Sequence, residues 1–367
     1  MSFCGSYRAD DVSFLLTPIA LAPILDLAEK ERLIQSGRRH YSEMLSPEAL
    51  PSPAYLALFA DAFGANRERM ARDCLRLAAL IAARRDGPIA LVSLARAGTP
   101  VGVILGHLLR SVFGRECAHY SVSIIRDRGI DAVALRHILG RGHAPESLVF
   151  VDGWTGKGVI SRELRRAVAD FNALHGTAID AGLYVLSDLA GAAACAASCD
   201  DYLIPSSILN ATVSGLVSRS VLNETIGPDD FHGCVYYAQF AAHDQSRRFA
   251  DGLVADGIAL AAREGVPAAH ADAAAARVAG MAAASADYMA RARQRYGIAD
   301  VNLIKPGIGE ATRVLLRRVP ERLILRDTSA PDVAHLRLLA AEKAIPVSVE
   351  AGLPYQAVAL IRSAVDG

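Results

Sequence analysis

Short apolar runs alternate with amphipathic segments between residues 89 and 206 of this chain. The apolar runs predict five strands, at residues 89–94, 118–125, 148–151, 183–186 and 202–204. The segments between them have helical spacing, at residues 101–113, 131–139 and 159–171, and a short alanine-rich helix follows. This alternation is typical of a parallel sheet with helices on both faces. We therefore predict an α/β fold with a doubly wound parallel core.

The chain divides into four predicted units: a helical N-terminal extension (1–85), the core with a hood (86–245), a helical connector (246–297) and a small α/β domain (298–367). The extension is predicted helical because apolar residues such as Met70, Cys74 and Leu77 recur at helical spacing. The small domain has predicted helices at 310–318 and 332–343, strands at 322–325 and 346–349, and a final helix.

Composition limits the partners and the cellular compartment that we expect for this chain. Lys plus Arg and Asp plus Glu number 39 each, so no global field draws the chain to nucleic acid or anionic lipid. No apolar run approaches the ~18 residues that a membrane span needs, and no signal peptide is recognisable, so we expect no membrane partner. The six cysteines form no CxxC pair, which is typical of a reduced compartment. We expect a cytoplasmic protein.

The stretch from Leu148 to Gly158 carries the most informative pattern. Asp152 follows four apolar residues, and the sequence Gly153-Trp154-Thr155-Gly156-Lys157-Gly158 leads into a predicted helix. Open α/β sheets bind ligands at the carboxyl ends of their strands, and a helix N-terminus offers free N–H groups to an anion. We predict that Asp152 holds a Mg²⁺ or ribose ligand, that Trp154 covers a planar ring, and that the turn cradles phosphate. A Walker A loop is disfavoured because the spacing is too short and Gly158 replaces the hydroxyl residue.

Two other strand-end loops carry arginines. In the first, Arg96, Ala97 and Gly98 precede Thr99, which is placed to cap the next helix; a guanidinium there can grip phosphate. In the second, Arg126 and Arg128 flank a flexible glycine-containing loop that predicts a lid over a polyanion. A solvated surface turn is the alternative interpretation for each loop.

These loops resemble those of type I phosphoribosyltransferases. The resemblance implies that Arg96 to Thr99 bind pyrophosphate, and that Asp152 and the turn through Gly158 bind the ribose, Mg²⁺ and 5′-phosphate of phosphoribosyl pyrophosphate. This sequence departs from the family, which usually has two adjacent acids at this point, because Gly153 follows Asp152 here.

The wider pattern over residues 1–245 resembles divergent phosphoribosyltransferases of bacterial tellurite-resistance and stress gene clusters, a family also labelled cysteine protease StiP. It implies Mg²⁺-dependent transfer of phosphoribose to a nucleobase-like acceptor, with Asp152, Arg96, Arg126 and Arg128 as catalytic residues. A cysteine peptidase is a lesser alternative, with Cys4, or His232 near Cys234, as candidates. An RNA-binding or nucleotide-sensing regulator is the other alternative.

The C-terminal unit is similar to Pelota-type RNA-binding domains. Gly307, Glu310 and Arg313 match the glycine turn, the acid and the basic residue that meet RNA in that family, whereas Gly309 replaces a usual asparagine. Arg313, Arg317 and Arg318 form a predicted local basic patch. Binding of structured RNA is one interpretation, and a packing or homodimerisation role is the other.

Overall fold

The computed structural model describes residues 3–20, 30, 32–34, 36–46, 48–267, 271–318 and 320–361, without the side chains of 271–276 and 317. Its central sheet has the strand order β1-β4-β3-β6-β7-β8, and each of these neighbouring pairs is parallel. The strands are β1 (Ser13–Leu15), β3 (Ile89–Ala95), β4 (Cys117–Ile125), β6 (Leu148–Thr155), β7 (Leu183–Asp188) and β8 (Cys195–Ser198). The short β5 (Gly129–Ile130) pairs antiparallel with β4, and β2 (Thr17–Pro18) pairs with β9 (Gly233–Cys234) outside this sheet.

Helices cover both faces of the central sheet. One face packs against α1 (Pro53–Arg84) and α2 (Thr99–Ser111), on which α5 (Ser246–Glu264) packs in turn, and the other packs against α3 (Ala132–Gly140) and α4 (Val159–His175). Because both faces are covered, the central strands are mostly apolar, as in β3, where all six positions from Ile89 to Leu94 are buried and Ser93 is the polar one. The predicted α/β class with a mainly parallel sheet is confirmed. The finer assignment to a phosphoribosyltransferase-like core, and the domain boundaries, stay predictions.

The C-terminal domain has a sheet of its own, in the order β10-β13-β11-β12. Its strands are β10 (Ile304–Pro306), β11 (Pro320–Leu325), β12 (Val347–Val349) and β13 (Ala357–Ile361), and its helices are α7 (Ile308–Arg317) and α8 (Ala334–Glu342). The helix α6 (Ala271–Arg295) precedes this domain and packs Tyr288 edge-on against Tyr355. The small C-terminal α/β domain is therefore confirmed as an element of the fold.

Three predicted elements differ from the structure. The fifth strand lies at Cys195–Ser198 rather than at 202–204, because the alanine-rich segment that resembles a helix pairs with β7 and is buried there. The N-terminal extension is not wholly helical, since Ser13–Leu15 adds a strand to the central sheet beside β4. The predicted final helix begins as β13, whose five buried residues pair with β10 and β11. A short buried apolar run does not by itself distinguish a strand from a helix.

None of the helices that the structure describes is long and apolar enough to cross a membrane. The predicted cytoplasmic location stays a prediction.

Candidate functional site

The parallel order of the sheet brings the three predicted loops to one edge. β3 lies between β4 and β6, with Ser93 opposite both Ser121 and Val151. The loops that follow these strands are therefore neighbours. Gly98 touches β6 so closely that a Cβ there would lie 2.7 Å from the Val151 carbonyl oxygen. A larger residue at this position would separate the loops.

β6 continues beyond the predicted strand end. Trp154 pairs with Ser187 and Thr155 pairs with Asp188, so the strand includes Asp152 and Gly153. The turn that remains is short: the N–H of Gly158 donates to Thr155 Oγ1 at 3.0 Å, and Gly158 adopts a left-handed conformation with φ of 68° before α4 begins. Alternation along the strand places Asp152 and Trp154 on the same side, where both line a cavity.

The C-terminal domain closes over this strand end. The guanidinium of Arg313 lies 4.5 Å from the centroid of the Trp154 ring, and Lys157 Nζ donates to the Val301 carbonyl at 2.9 Å. Gly309 lies directly against the indole, since a Cβ there would be 2.6 Å from Trp154. This contact explains why glycine replaces the asparagine of the resembling family: a side chain would displace Trp154.

Asp201 of the core holds the start of α7. Its Oδ1 accepts the N–H of Ile308 at 2.9 Å, and its Oδ2 accepts the N–H of Gln356 at 2.8 Å. Gly307 precedes the helix and has no side chain to cap it. The core therefore supplies the capping carboxylate that the C-terminal domain lacks.

Between the two domains lies a cavity of about 1120 Å³. Among the described residues, its lining carries eight Lys or Arg side chains (Lys30, Arg96, Arg126, Lys157, Arg219, Lys305, Arg313 and Arg318) and four acids (Glu48, Asp152, Asp300 and Glu310). The whole chain has as many cations as acids, so the excess of cations is local. A cavity of this charge attracts anions.

The pKa values of the lining residues reflect their burial and the closeness of several cations. Burial raises the pKa of Asp152 to about 6, against the opposing effects of the Gly153 N–H and Arg313. Burial, reinforced by the nearby Lys305 ammonium, lowers the pKa of Lys157 to about 8. Burial and neighbouring cations also lower the pKa of Lys305. An anionic ligand would relieve the repulsion between these two lysines.

Glu310 and Arg313 form an ion pair on α7, with Oε1 and Nη1 2.8 Å apart. Although burial opposes it, the charges of Arg313, Lys305 and Lys157 lower the pKa of Glu310 overall. Both residues line the cavity, whereas Gly307 does not and donates its N–H to the Ala357 carbonyl. Two of the three residues predicted to meet RNA thus line the same cavity as Asp152 and Lys157.

Arg96 has a different environment from the one predicted. Its guanidinium pairs with Glu48 at 2.6 Å and donates to the Val217 carbonyl at 2.7 Å, with only 8% of the side chain exposed. Arg96 borders the cavity, but its donors are engaged by the protein. The loop is therefore not a solvated turn, because Glu48, distant in sequence, folds onto it. Binding of phosphate by Arg96 stays a prediction.

The two arginines of the predicted lid have different environments. Arg126 lines the cavity, and its guanidinium lies 5.5 Å from the centroid of Tyr41, whose hydroxyl accepts the Arg126 backbone N–H. Arg128 instead pairs with Glu43 at 3.5 Å and lies outside the lining.

The lining includes nine of the predicted site residues: Arg96, Arg126, Asp152, Trp154, Thr155, Gly156, Lys157, Glu310 and Arg313. It excludes Ala97, Gly98, Thr99, Arg128, Gly153, Gly158 and Gly307. Thr99 is buried and its Oγ1 bonds to Ser121 Oγ at 2.7 Å. In the predicted basic patch, Arg318 lines the cavity, whereas the Arg317 side chain lies outside the described residues.

Sequence reasoning missed Glu48, Tyr41 and Lys305 as lining residues. Lys305 could have been found from the sequence, because it precedes the glycine turn of the C-terminal domain. Glu48 and Tyr41 come from loops without a motif, so only the fold brings them to the cavity.

The described residues around Asp152 do not by themselves complete a cage of protein ligands for Mg²⁺. Within the described ranges, no group of three or more His, Cys, Asp or Glu side chains converges as metal ligands would. Asp152 is a single carboxylate with one oxygen bonded to the Gly153 N–H, and its nearest acidic neighbour, Glu310, is paired with Arg313. Mg²⁺ needs several oxygen ligands. Mg²⁺ and phosphoribosyl pyrophosphate stay predictions.

The cysteines lie away from this cavity. Burial raises the pKa of Cys117 to about 11 and that of Cys234 to about 12, which disfavours the thiolate. Cys4 is partly exposed, and its Sγ contacts the Gly5 carbonyl. Among the described side chains, no histidine hydrogen-bonds a cysteine; His232 bonds instead to Ser123 at 2.7 Å.

Comparisons with known proteins cover nearly the whole chain. A family model described as "Tellurite-like stress resistance cysteine protease StiP" matches residues 5–254, and a model described as "PELOTA RNA binding domain" matches residues 283–363. A protein named "Cysteine protease StiP" from Acinetobacter baylyi is 42% identical over 372 residues, which cover 98% of this chain and 94% of the relative.

These matches correct the predicted activity. Family and relative are named for a cysteine protease, so the prediction of a phosphoribosyltransferase was wrong. The predicted resemblance to the stress-resistance family and to a Pelota domain is confirmed. This chain belongs to the StiP family of tellurite-like stress resistance proteins.

Proposed function

We propose that this member of the StiP family binds a single strand of RNA in the cavity between its core and its C-terminal domain. The observation that carries the proposal is the meeting of Glu310 and Arg313, from the Pelota-like helix, with Lys157 of the core around one cationic cavity. The match of residues 283–363 to a Pelota RNA-binding model supports RNA as the ligand.

Charge supports an anionic ligand. The Lys305 side chain makes no hydrogen bond or ion pair with the described residues, and that of Lys157 bonds only to a carbonyl oxygen. A phosphate group next to both would stabilise their charged forms and release their mutual repulsion. Phosphate contacts of this kind supply most of the affinity in protein binding to nucleic acids.

The shape of the site supports a single strand. The first turn of α7 faces the core and contacts Trp154, so a duplex has no access to Glu310 and Arg313. A strand end or an unpaired segment fits a cleft with aromatic rings beside cations, as in other single-strand binders.

Fluorescence anisotropy with a labelled RNA of about eight nucleotides tests the proposal. Wild-type protein should bind the single strand, and the same sequence as a duplex should bind more weakly. Lys305→Ala and Arg313→Gln should each reduce affinity by about 10-fold, the loss expected for a charge-assisted contact. Arg337→Gln, which changes an exposed arginine of the same domain outside the lining, serves as the matched control.

Failure of the wild-type protein to bind single-stranded RNA at about 0.1 M salt would disprove the proposal. Equal effects of Lys305→Ala and Arg337→Gln would show that binding occurs elsewhere.

The name of the relative favours cysteine peptidase activity as a second candidate. Cys4, one of three partly exposed thiols, is the one that we assign to it; it lies one residue before the region that matches the family model. Cys4→Ala should then abolish cleavage of casein, whereas Cys117→Ala should retain it. Cleavage that survives alkylation of the thiols would exclude this candidate. No described histidine bonds to a cysteine, so a paired nucleophile and base are not in place. The cationic cavity, by contrast, is already formed, and RNA binding is therefore the better supported candidate.

A further inference from the structure

A second set of cavity residues has polar atoms that the folded chain leaves unsatisfied. Arg219 Nη1, Asn210 Oδ1 and Thr212 Oγ1 are buried and have no hydrogen-bond partner among the described residues. All three residues line the cavity, and Thr212 is only 3% exposed. We call these three residues the Arg219 subsite. Buried polar atoms are normally paired, so this group indicates a ligand.

Arg219 is held in place without neutralisation of its charge. Its Nη2 donates to the carbonyl oxygens of Tyr41 and Met44, which fixes the guanidinium and leaves Nη1 directed elsewhere. No described carboxylate lies within ion-pair distance of Arg219; burial lowers its pKa and Arg96 adds to the effect, although the nearby charge of Glu48 opposes it. A buried, unpaired guanidinium is costly unless an anion accompanies it.

Tyr41 and Arg126 connect this subsite to the residues at the domain interface. The guanidinium groups of Arg126 and Arg219 each lie 5.5 Å from the Tyr41 ring centroid. Beyond burial, Arg126 is also among the cations that lower the pKa of Lys305. Arg126 and Arg219 therefore share one aromatic ring, and Arg126 is close enough to Lys305 to act on its charge. Such an arrangement fits consecutive phosphates of a strand better than one isolated phosphate.

The size of the cavity agrees with a ligand longer than one nucleotide. Its volume of about 1120 Å³ exceeds the range of ~300–1,000 Å³ that is typical of pockets for single small ligands.

We propose that the Arg219 subsite binds a second nucleotide of the strand, so that the minimal ligand is a dinucleotide. The phosphodiester lies at Arg219 Nη1, and donor groups of the same nucleotide lie at Asn210 Oδ1 and Thr212 Oγ1. This inference rests on the proposed function, in which the first phosphate lies at Lys157, Lys305 and Arg313.

Binding of two probes to the full chain tests the inference: a ribonucleoside 5′-monophosphate and a 5′-phosphorylated ribodinucleotide, each measured by calorimetry. The wild-type protein should bind the dinucleotide more tightly by about 10-fold or more, because Arg219 adds a charge-assisted contact. Arg219→Gln should remove this advantage and leave mononucleotide affinity unchanged. Lys305→Ala should weaken both probes. Arg136→Gln, an exposed arginine outside the lining, is the control.

Thr212→Val separates binding from folding. The Thr212 hydroxyl has no partner in the folded chain, so its removal should leave the unfolding temperature unchanged or higher. The same variant should weaken dinucleotide binding by about 2- to 10-fold, the effect of one lost hydrogen bond, without changing mononucleotide binding.

Equal affinity of the wild-type protein for both probes would overturn the inference and leave the proposed function standing. The inference would also be overturned if Arg219→Gln and Thr212→Val weaken the two probes equally. Absence of binding of both probes would overturn the inference, whereas the proposed function is decided separately by the titration with the eight-nucleotide RNA.

Discussion

Arg96 is the residue whose role the fold changes most. The sequence predicts a free phosphate-binding guanidinium, and the structure pairs it with Glu48, with 8% and 13% of the two side chains exposed. A buried pair loses little when both charges are replaced together, but the loss of one partner leaves an uncompensated charge. Arg96 therefore supports the loop between the sheet and the hood.

Glu48→Ala should lower the free energy of unfolding by about 3 kcal/mol, because Arg96 then stays buried without its partner. The double replacement Glu48→Leu with Arg96→Met should recover most of that loss. Urea denaturation of the single and double variants measures both. A single variant as stable as the wild type would show that water solvates Arg96 at this site.

Asp152 makes stability depend on pH. Its pKa is raised by burial from 3.8 to about 6, so the folded state binds the proton more tightly than the unfolded state. Stability then falls as the pH rises from about 4 to about 6, and the penalty persists above that range.

Asp152→Asn removes this penalty. The variant should raise the unfolding temperature by roughly 2 °C at pH 8 and should have no effect at pH 4, as followed by circular dichroism. Asp287→Asn, on the exposed surface of α6, should change neither value. An equal effect at both pH values would contradict the assignment of the penalty to the Asp152 charge.

At the scale of the element, α7 depends on a residue outside its own domain. Its preceding Gly307 has no capping side chain, and Asp201 accepts the N–H groups of Ile308 and Gln356. The helix that carries Glu310 and Arg313 is thus positioned by the core. Docking of the C-terminal domain and the geometry of the cavity are coupled through this carboxylate.

Asp201→Ala should increase amide hydrogen exchange at Ile308 and Gln356, with a cost of about 1 kcal/mol, as for the loss of a helix cap. Mass spectrometry of peptides from α7 and β13 measures the exchange. Asp327→Ala, which removes a turn at Ser329 in the same domain, should leave α7 protected. Unchanged exchange in Asp201→Ala would show that other contacts hold the helix.

At the scale of the whole molecule, the chain has no net charge, whereas the lining of the cavity is cationic. The chain has 39 basic and 39 acidic residues, whereas the lining carries eight cations and four acids among the described residues. Without a global field, non-specific attraction should be weak, and the contacts within the cavity should dominate the dependence on salt.

The logarithm of RNA affinity should therefore fall with the logarithm of salt concentration with a slope of roughly −1.4, for the two phosphates that the proposals place in the cavity. Anisotropy titrations between ~50 and ~200 mM salt measure this slope. Lys305→Ala should reduce its magnitude by about 0.7. A slope near zero would mean that phosphate contacts do not hold the ligand.

Local patterns in the chain determined the α/β class, four of the central strands and the position of the organising stretch, Leu148 to Gly158. These features depend on apolar runs, caps and turns within a few residues, so the sequence alone predicts them. The partners of Arg96 and Trp154 were not predictable, because Glu48 and Arg313 are distant in the chain and no local rule links them.

Only the tertiary structure decided that the strand-end loop and the Pelota-like helix share one cavity. Periodicity predicts each element separately, since it depends on neighbours in the chain. The contact between Trp154 and Arg313, and the capping of α7 by Asp201, depend on how two domains pack. That packing places residues of both predicted sites around one cavity.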